Sequence, residues 1–226
     1  MCSLDLDGFA MIEGVLAAGE VDALIAATDH DGQTETRRGG IRNLLDVPEV
    51  QNLASSYKVR SLVEEILGSE ARVVRGILFD KTEGANWKVP WHQDVTIAVR
   101  DRTDTDGFGP WSIKAGVVHV QPPSSVMERM VSLRFHLDDC PEQNGALRVI
   151  VGSHANGKLG ELEVQASARN ADAVVCAMKR GGLLIMRPLL IHASSASNVP
   201  GHRRVIHLDF AAVTLPDGME WVTNQA

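Results

Sequence analysis

The sequence is short of the features that would place it outside ordinary globular chemistry. Only three cysteines occur among 226 residues, Cys2, Cys140 and Cys176. An odd number without the spacing of a zinc site argues against a disulfide framework, and a reducing, cytoplasmic setting is expected. No stretch approaches the roughly 18 uninterrupted apolar residues of a membrane span, so no membrane partner is expected. The opening "MCSLDLDGFAMIEG" carries acids where a secretory leader has a positive start and an apolar run. Positive charge is scarce as well. Lys and Arg total 22 against 29 Asp and Glu, a net charge of −7, and the dibasic pairs Arg37-Arg38, Lys179-Arg180 and Arg203-Arg204 are too small to make a phosphate-binding patch. No nucleic-acid partner is expected. Internal repeats and low-complexity linkers are also missing.

What is present reads as one globular domain over residues 1–226, with 44% hydrophobic and 23% charged residues. A helical N-terminal part is expected over about 13–68 and a β core over about 70–213. In "GEVDALIAATDH", Val21, Leu24, Ile25 and Thr28 form one helical stripe, with Gly19 available as a cap. "SSYKVRSLVEEILG" repeats the pattern with Val59, Leu62, Val63 and Ile66 and stops at Gly68. Between them, Pro48 stands where a first helical turn tolerates it.

After Gly68 the period changes. "ARVVRGILF", "AGVVHVQ", "MVSLRFHLD", "ALRVIVG", "DAVVCAM", "GGLLIMR" and "RVIHLDFAAV" are short, apolar or β-branched, and separated by turn residues. In "MVSLRFHLD", Val131, Leu133, Phe135 and Leu137 fall on one face, and Ser132, Arg134, His136 and Asp138 on the other. Many short strands with no long helices between them indicate a sandwich or barrel rather than a parallel α/β sheet. The longest irregular stretch, about 100–114, reads as a loop over something.

Three His-x-Asp patterns stand out: His92/Asp94, His136/Asp138 and His207/Asp209. Residues two apart on a strand share a face, so each pattern can present an imidazole and a carboxylate together. One further histidine from a neighbouring strand completes the 2-His-1-carboxylate set that suits non-haem Fe(II) and leaves coordination positions open. His207/Asp209 has no histidine among the 17 residues that follow it and reads as a polar strand face. Both other pairs are followed by His154, His192 and His202. Strand count favours the first. An eight-stranded jelly roll sets its second and seventh strands side by side, and the 98 residues between Asp94 and His192 hold enough strands to return there.

"NWKVPWHQD", then "RFHLDDCPEQNGALRVIVGSH", then "GGLLIMRPLLIHASSASNVPGHRR" resemble the phytanoyl-CoA dioxygenase family of Fe(II)/2-oxoglutarate oxygenases, from about residue 8 to about 212. The resemblance implies a mainly β chain with flanking helices around a double-stranded β-helix, the cupin-like jelly roll. It implies His92, Asp94 and His192 as iron ligands, Fe(II) as metal, 2-oxoglutarate as cosubstrate and dioxygen as oxidant. His136 and His154 match no iron ligand in the family. At Val151, where proline is common in the family, this sequence departs from the pattern.

A far carboxylate of 2-oxoglutarate calls for a cation, and arginine binds carboxylates with two prongs. Alternation does not choose between Arg203 and Arg204; the family's spacing of 11 residues after the distal histidine implies Arg203. Ser194 matches a family position that touches the cosubstrate, and Lys81 and Trp111 are further candidates for cosubstrate or substrate contact. Gln93, between two ligands, should face away and support the strand. The retained Asp94 implies hydroxylation, because related halogenases have a small residue there. The partner implied is a small-molecule substrate free of coenzyme A. Two rivals stand beside this reading: a cupin-type metal enzyme that does not use 2-oxoglutarate, and a non-catalytic jelly-roll binding domain.

Overall fold

Segments whose apolar residues recur at period two bury that face only by pairing edge to edge. In the computed structural model, which describes residues 3–29, 40–198 and 201–223, the chain does this with thirteen strands. Cys2 and the Arg37-Arg38 pair lie outside the described residues. In chain order the elements are α1 (Leu4–Asp7), β1 (Phe9–Ile12), α2 (Ala18–Thr28), β2 (Ile41–Arg42), α3 (Pro48–Ser55) and α4 (Tyr57–Leu67). Then follow β3 (Arg72–Lys81), β4 (Val89–His92), β5 (Ile97–Val99), β6 (Trp111–Lys114), β7 (Val117–Val120), α5 (Ser124–Met127) and β8 (Met130–His136). The last are β9 (Leu147–Ile150), α6 (Glu161–Asn170), β10 (Ala173–Cys176), β11 (Leu183–Met186), β12 (His192–Ser194) and β13 (Arg203–Ala211).

The strands form a six-stranded sheet ordered β1-β11-β8-β13-β3-β2, a four-stranded sheet ordered β10-β9-β12-β4, and a small sheet β5-β7-β6, all antiparallel. This is the jelly roll with flanking helices. All seven strand segments legible in the sequence are strands here.

The six-stranded sheet has two unlike faces. Leu78 of β3, Val131, Leu133 and Phe135 of β8, and Ile206, Leu208 and Phe210 of β13 pack with Val21, Leu24, Val50, Val59 and Val63 of α2, α3 and α4. Phe135 is fully buried there, and truncating such a ring to alanine costs about 3–5 kcal/mol. The other face is built by register. Arg203 stands opposite Lys81, His207 opposite Ile77 and Arg134, and Asp209 opposite Arg75 and Ser132. Every residue of β8 is buried, so its polar face looks into the barrel and not into water.

Several local features differ from the sequence reading. Helix α2 begins at Ala18, so Gly19 lies inside it, and the Glu20 carboxylate accepts from the Ala17 N–H at 2.9 Å in the capping role. Two strands, β1 and β2, run before residue 68 and join opposite edges of the large sheet. Helix α6 occupies a stretch read as strand connection; its partly polar surface gave weak periodicity. The 100–114 stretch ends as strand β6, so Trp111 is a sheet residue paired with Val120 rather than a loop residue.

Candidate metal centre

Strands β4 and β12 lie side by side with His92 directly opposite His192. Asp94 follows just beyond β4, where its N–H donates to the Pro188 carbonyl at 2.9 Å. The outcome is one group of three: ligand atoms of His92, Asp94 and His192 all lie within 4.8 Å of one another. Asp94 oxygens stand 3.9 Å from His92 Nε2 and 3.7 Å from His192 Nε2, and the two rings are 4.2 Å apart between centroids.

The protons on these rings are placed by the backbone. His92 Nδ1 pairs with the Pro90 carbonyl and His192 Nδ1 with the Leu190 carbonyl, both at 2.8 Å. A carbonyl only accepts, so Nδ1 carries the proton and Nε2 keeps its lone pair. Burial pushes His192 down to about 4, with Asp94 opposing and His92 adding to the fall. Burial alone would raise the Asp94 carboxyl, but His192, His92, His207 and Arg75 outweigh it and hold it below its ordinary value. A neutral His192 beside an ionised Asp94 suits a divalent cation, whose ligands must be deprotonated.

Gln93 points away from this group and is buried. Its Nε2 donates to the carbonyls of Gly157 and Leu189 at 2.8 and 2.7 Å, and its Oε1 accepts from the Leu159 N–H at 2.8 Å. It therefore fastens the Gly157–Leu159 segment to the strand that carries His92. An open cleft beside it is lined by Trp91, His92, Val95, Gln121 and Leu159, among others.

Deeper on the polar face, Arg203, Lys81 and Ser194 come together, all at most 4% exposed. Lys81 Nζ donates to Ser194 Oγ at 3.1 Å and to the Ser195 carbonyl. Arg203 Nη1 donates to the Gly145 carbonyl at 2.8 Å. Gly145 has φ +68°, and a Cβ there would stand 2.5 Å from the Ser195 carbonyl oxygen and 3.2 Å from Lys81 Nζ, so this turn admits only glycine without rearrangement. Burial and then the Arg203 charge lower Lys81 to about 7. Arg203 Nε and both nitrogens of His136 are buried with no hydrogen-bond partner. Orphaned donors beside two cations fit a group with several acceptor oxygens.

Trp111 is not part of this gathering. It is half-buried on β6, with the Arg102 guanidinium 5.5 Å from its ring centre, against the cluster of Ile97, Val120 and Met127. Arg204 is held by Asp138 in a two-pronged pair at 2.8 and 2.9 Å, which also takes Asp138 away from His136. His154 lies in a turn and contacts the Asp5 carbonyl.

The sequence reading passed over the buried polar network itself. Asp209 accepts from Arg75 Nε at 2.6 Å, Ser132 Oγ at 2.5 Å and His207 Nε2 at 2.8 Å, and Arg134 Nη1 donates to His207 Nδ1 at 2.9 Å. Its signal was available: Ser132, Arg134 and His136 on β8 and His207 and Asp209 on β13 fall at period two inside otherwise apolar strands.

Comparison with known proteins bears on the same elements. The sequence profile of the phytanoyl-CoA dioxygenase (PhyH) family matches residues 4–205. No curated protein matches the chain by sequence. Among solved structures it is similar to AviO1 from Streptomyces viridochromogenes Tue57, with a TM-score of 0.66, 21% identity, and 94% of this chain and 93% of that one covered. It is also similar to EctD from S. alaskensis with 2-oxoglutarate and 5-hydroxyectoine, with a TM-score of 0.69, 21% identity and coverage of 93% and 74%. A third is the epimerase SnoN in complex with Fe3+, alpha ketoglutarate and nogalamycin RO, with a TM-score of 0.70, 18% identity and coverage of 95% and 88%.

Proposed function

The chain belongs to the phytanoyl-CoA dioxygenase (PhyH) family, and from that premise we propose that it is an Fe(II)- and 2-oxoglutarate-dependent oxygenase that hydroxylates a C–H bond of a small molecule. The observation that carries this reading is the convergence of His92, Asp94 and His192 with both Nε2 lone pairs free. These three residues hold the iron. With 2-oxoglutarate and dioxygen bound, iron supplies oxidative decarboxylation to succinate and CO2, coupled to transfer of one oxygen to the substrate.

The chain's own residues prepare that chemistry. The Pro90 and Leu190 carbonyls fix the two imidazoles before any metal arrives, which lowers the ordering cost of binding. Arg203 and Lys81 would take the far carboxylate of 2-oxoglutarate, with Ser194 at the end of β12 holding Lys81 in place. A carboxylate brought beside Lys81 favours its charged form and reverses the downward shift that burial imposes. EctD with 2-oxoglutarate and 5-hydroxyectoine, and SnoN with Fe3+, alpha ketoglutarate and nogalamycin RO, support the same reading.

Succinate release tests it. The purified protein with Fe(II), 2-oxoglutarate and dioxygen should form succinate, including slow turnover without substrate, and Asp94→Ala should form none. Iron binding without succinate under any screened substrate would instead favour a binding domain. Metal-dependent turnover that ignores 2-oxoglutarate would favour a cupin-type enzyme.

A further inference from the structure

A second cavity of about 220 Å³ opens between β2, β3, β5 and β7, lined by residues that include Arg42, Arg75, Ala98, Val117 and His119. It is smaller than the roughly 300–1,000 Å³ of sites that enclose a whole drug-sized ligand, so it takes one end of a molecule. Arg75 lines it, and the Arg75 charge is among those that lower Asp94.

The charges around it do not cancel. Arg75 is matched by Asp209 at 2.6 Å. Arg42 on β2 is half-buried, desolvated, and close enough to Arg75 to be lowered by it. Among the described residues it has no acidic partner. Lys114 at the end of β6 does not line the cavity itself but stands opposite the lining residue Val117; it is half-buried, lowered by burial, Arg75 and Arg42 with Asp94 opposing, and its Nζ donates to the neutral Thr96 hydroxyl at 3.2 Å. Asp46, the acid among the lining residues, is exposed and makes no ion pair with either arginine among the described residues. His119 supplies a separate sign of an occupant. It is 1% exposed, its Nδ1 donates to the Val117 carbonyl at 2.9 Å, and its Nε2 is therefore a buried acceptor without a partner, which asks for a donor group on the occupant beside any oxyanion. Two half-buried cations without an ion-pair partner among the described residues, and a buried acceptor without a donor, describe a site completed by something else.

We propose that this cavity receives an oxyanion of the primary substrate, a carboxylate, sulfate or phosphate, held by Arg42 and Lys114. The oxyanion end is thereby fixed beside Arg75, and the rest of the substrate is presented to the metal. The identity of the occupant as the substrate rests on the oxygenase reading; the anion site itself does not.

The test uses protein loaded with Fe(II) and saturating 2-oxoglutarate under anaerobic conditions, titrated calorimetrically with sodium sulfate, inorganic phosphate and acetate. Saturating the cosubstrate keeps these probes away from Arg203 and Lys81. At least one anion should bind wild type, and Arg42→Gln and Lys114→Gln should each weaken it at least about tenfold, the loss of one charge-assisted contact. Arg72→Gln, a change at an exposed arginine on the same strand as Arg75, should not weaken it. Which of the three binds most tightly identifies the oxyanion. No binding to wild type, or an equal loss in Arg72→Gln, overturns the proposal. If the chelate of iron and 2-oxoglutarate fails to form, the oxygenase reading fails separately, and the same titration on metal-free protein still decides the anion site.

Discussion

Two His-x-Asp pairs, 92/94 and 207/209, share one interior, and what differs is who already holds their acceptors. At 207/209 the carboxylate is taken by Arg75, Ser132 and His207 at 2.5–2.8 Å. The imidazole is taken at both nitrogens, by Arg134 and Asp209. Arg75, His207 and Ser132 together hold Asp209 far below its ordinary value in spite of burial. Nothing is left for a metal. At 92/94 the nearest cationic or ring nitrogens to the carboxylate are imidazole Nε2 atoms at 3.7 and 3.9 Å, beyond hydrogen-bond reach. The same tripeptide pattern is a closed ion-pair network in one place and an open donor set in the other. A metal site is recognised by lone pairs that the fold declines to satisfy.

Substitution separates the two. Asp94→Ala should abolish iron binding and succinate formation while changing stability by less than about 1 kcal/mol, since its side chain is 29% exposed and makes no direct hydrogen bond. Asp209→Ala should do the reverse. Leaving Arg75 and His207 unmatched in the interior costs about 3–5 kcal/mol in denaturant unfolding, and the folded fraction should still bind iron. Equal destabilisation by both changes would erase the distinction.

A smaller effect is expected at the Gly145 turn, beside the residues proposed to hold 2-oxoglutarate. Gly145→Ala forces a Cβ into the Ser195 carbonyl at a positive φ, a strain of about 1–3 kcal/mol. It should raise the dissociation constant for 2-oxoglutarate about tenfold with iron affinity unchanged, read by titration of each ligand.

The smallest is a pH effect. Lys81 is lowered from 10.5 to about 7 in the fold by burial and Arg203, so the unfolded chain binds the extra proton between those values. Stability of the metal-free protein should therefore rise with pH from about 7 towards 10.5 and be lowest below about 7. Lys81→Met should flatten that rise in Tm against pH; an unchanged slope would show that Lys81 keeps its charge.

Much of this was legible in the sequence because the signals were local. Short apolar or β-branched runs between turn residues marked β3, β7, β8, β9, β10, β11 and β13, with clean alternation in β8, and the same-face rule put His92 and Asp94 together. The count of strands between Asp94 and His192 anticipated the β4–β12 pairing. What was not legible depended on distant residues meeting. The strands β1, β2 and β12 lie in stretches with no such run, and β2 exists only through two pairings with β3. Trp111 read as loop because the residues before it are polar and turn-rich, yet pairing with β7 made β6 a strand. His207 and Asp209 read as a polar face, correctly, but alternation cannot tell a face in water from one inside a barrel. Arg42 and Lys114 gave no signal, since a charge in a sequence is almost always solvated.

The most direct test of the open donor set is an anaerobic titration of Fe(II)-loaded protein with 2-oxoglutarate, following the weak visible charge-transfer band of the chelate. Wild type, His92→Ala, His136→Ala and His207→Ala would be compared. The band should form in wild type, in His136→Ala and in folded His207→Ala, and be lost in His92→Ala. A band that survives in His92→Ala but vanishes in His207→Ala or His136→Ala would place the metal at another pair and contradict the account.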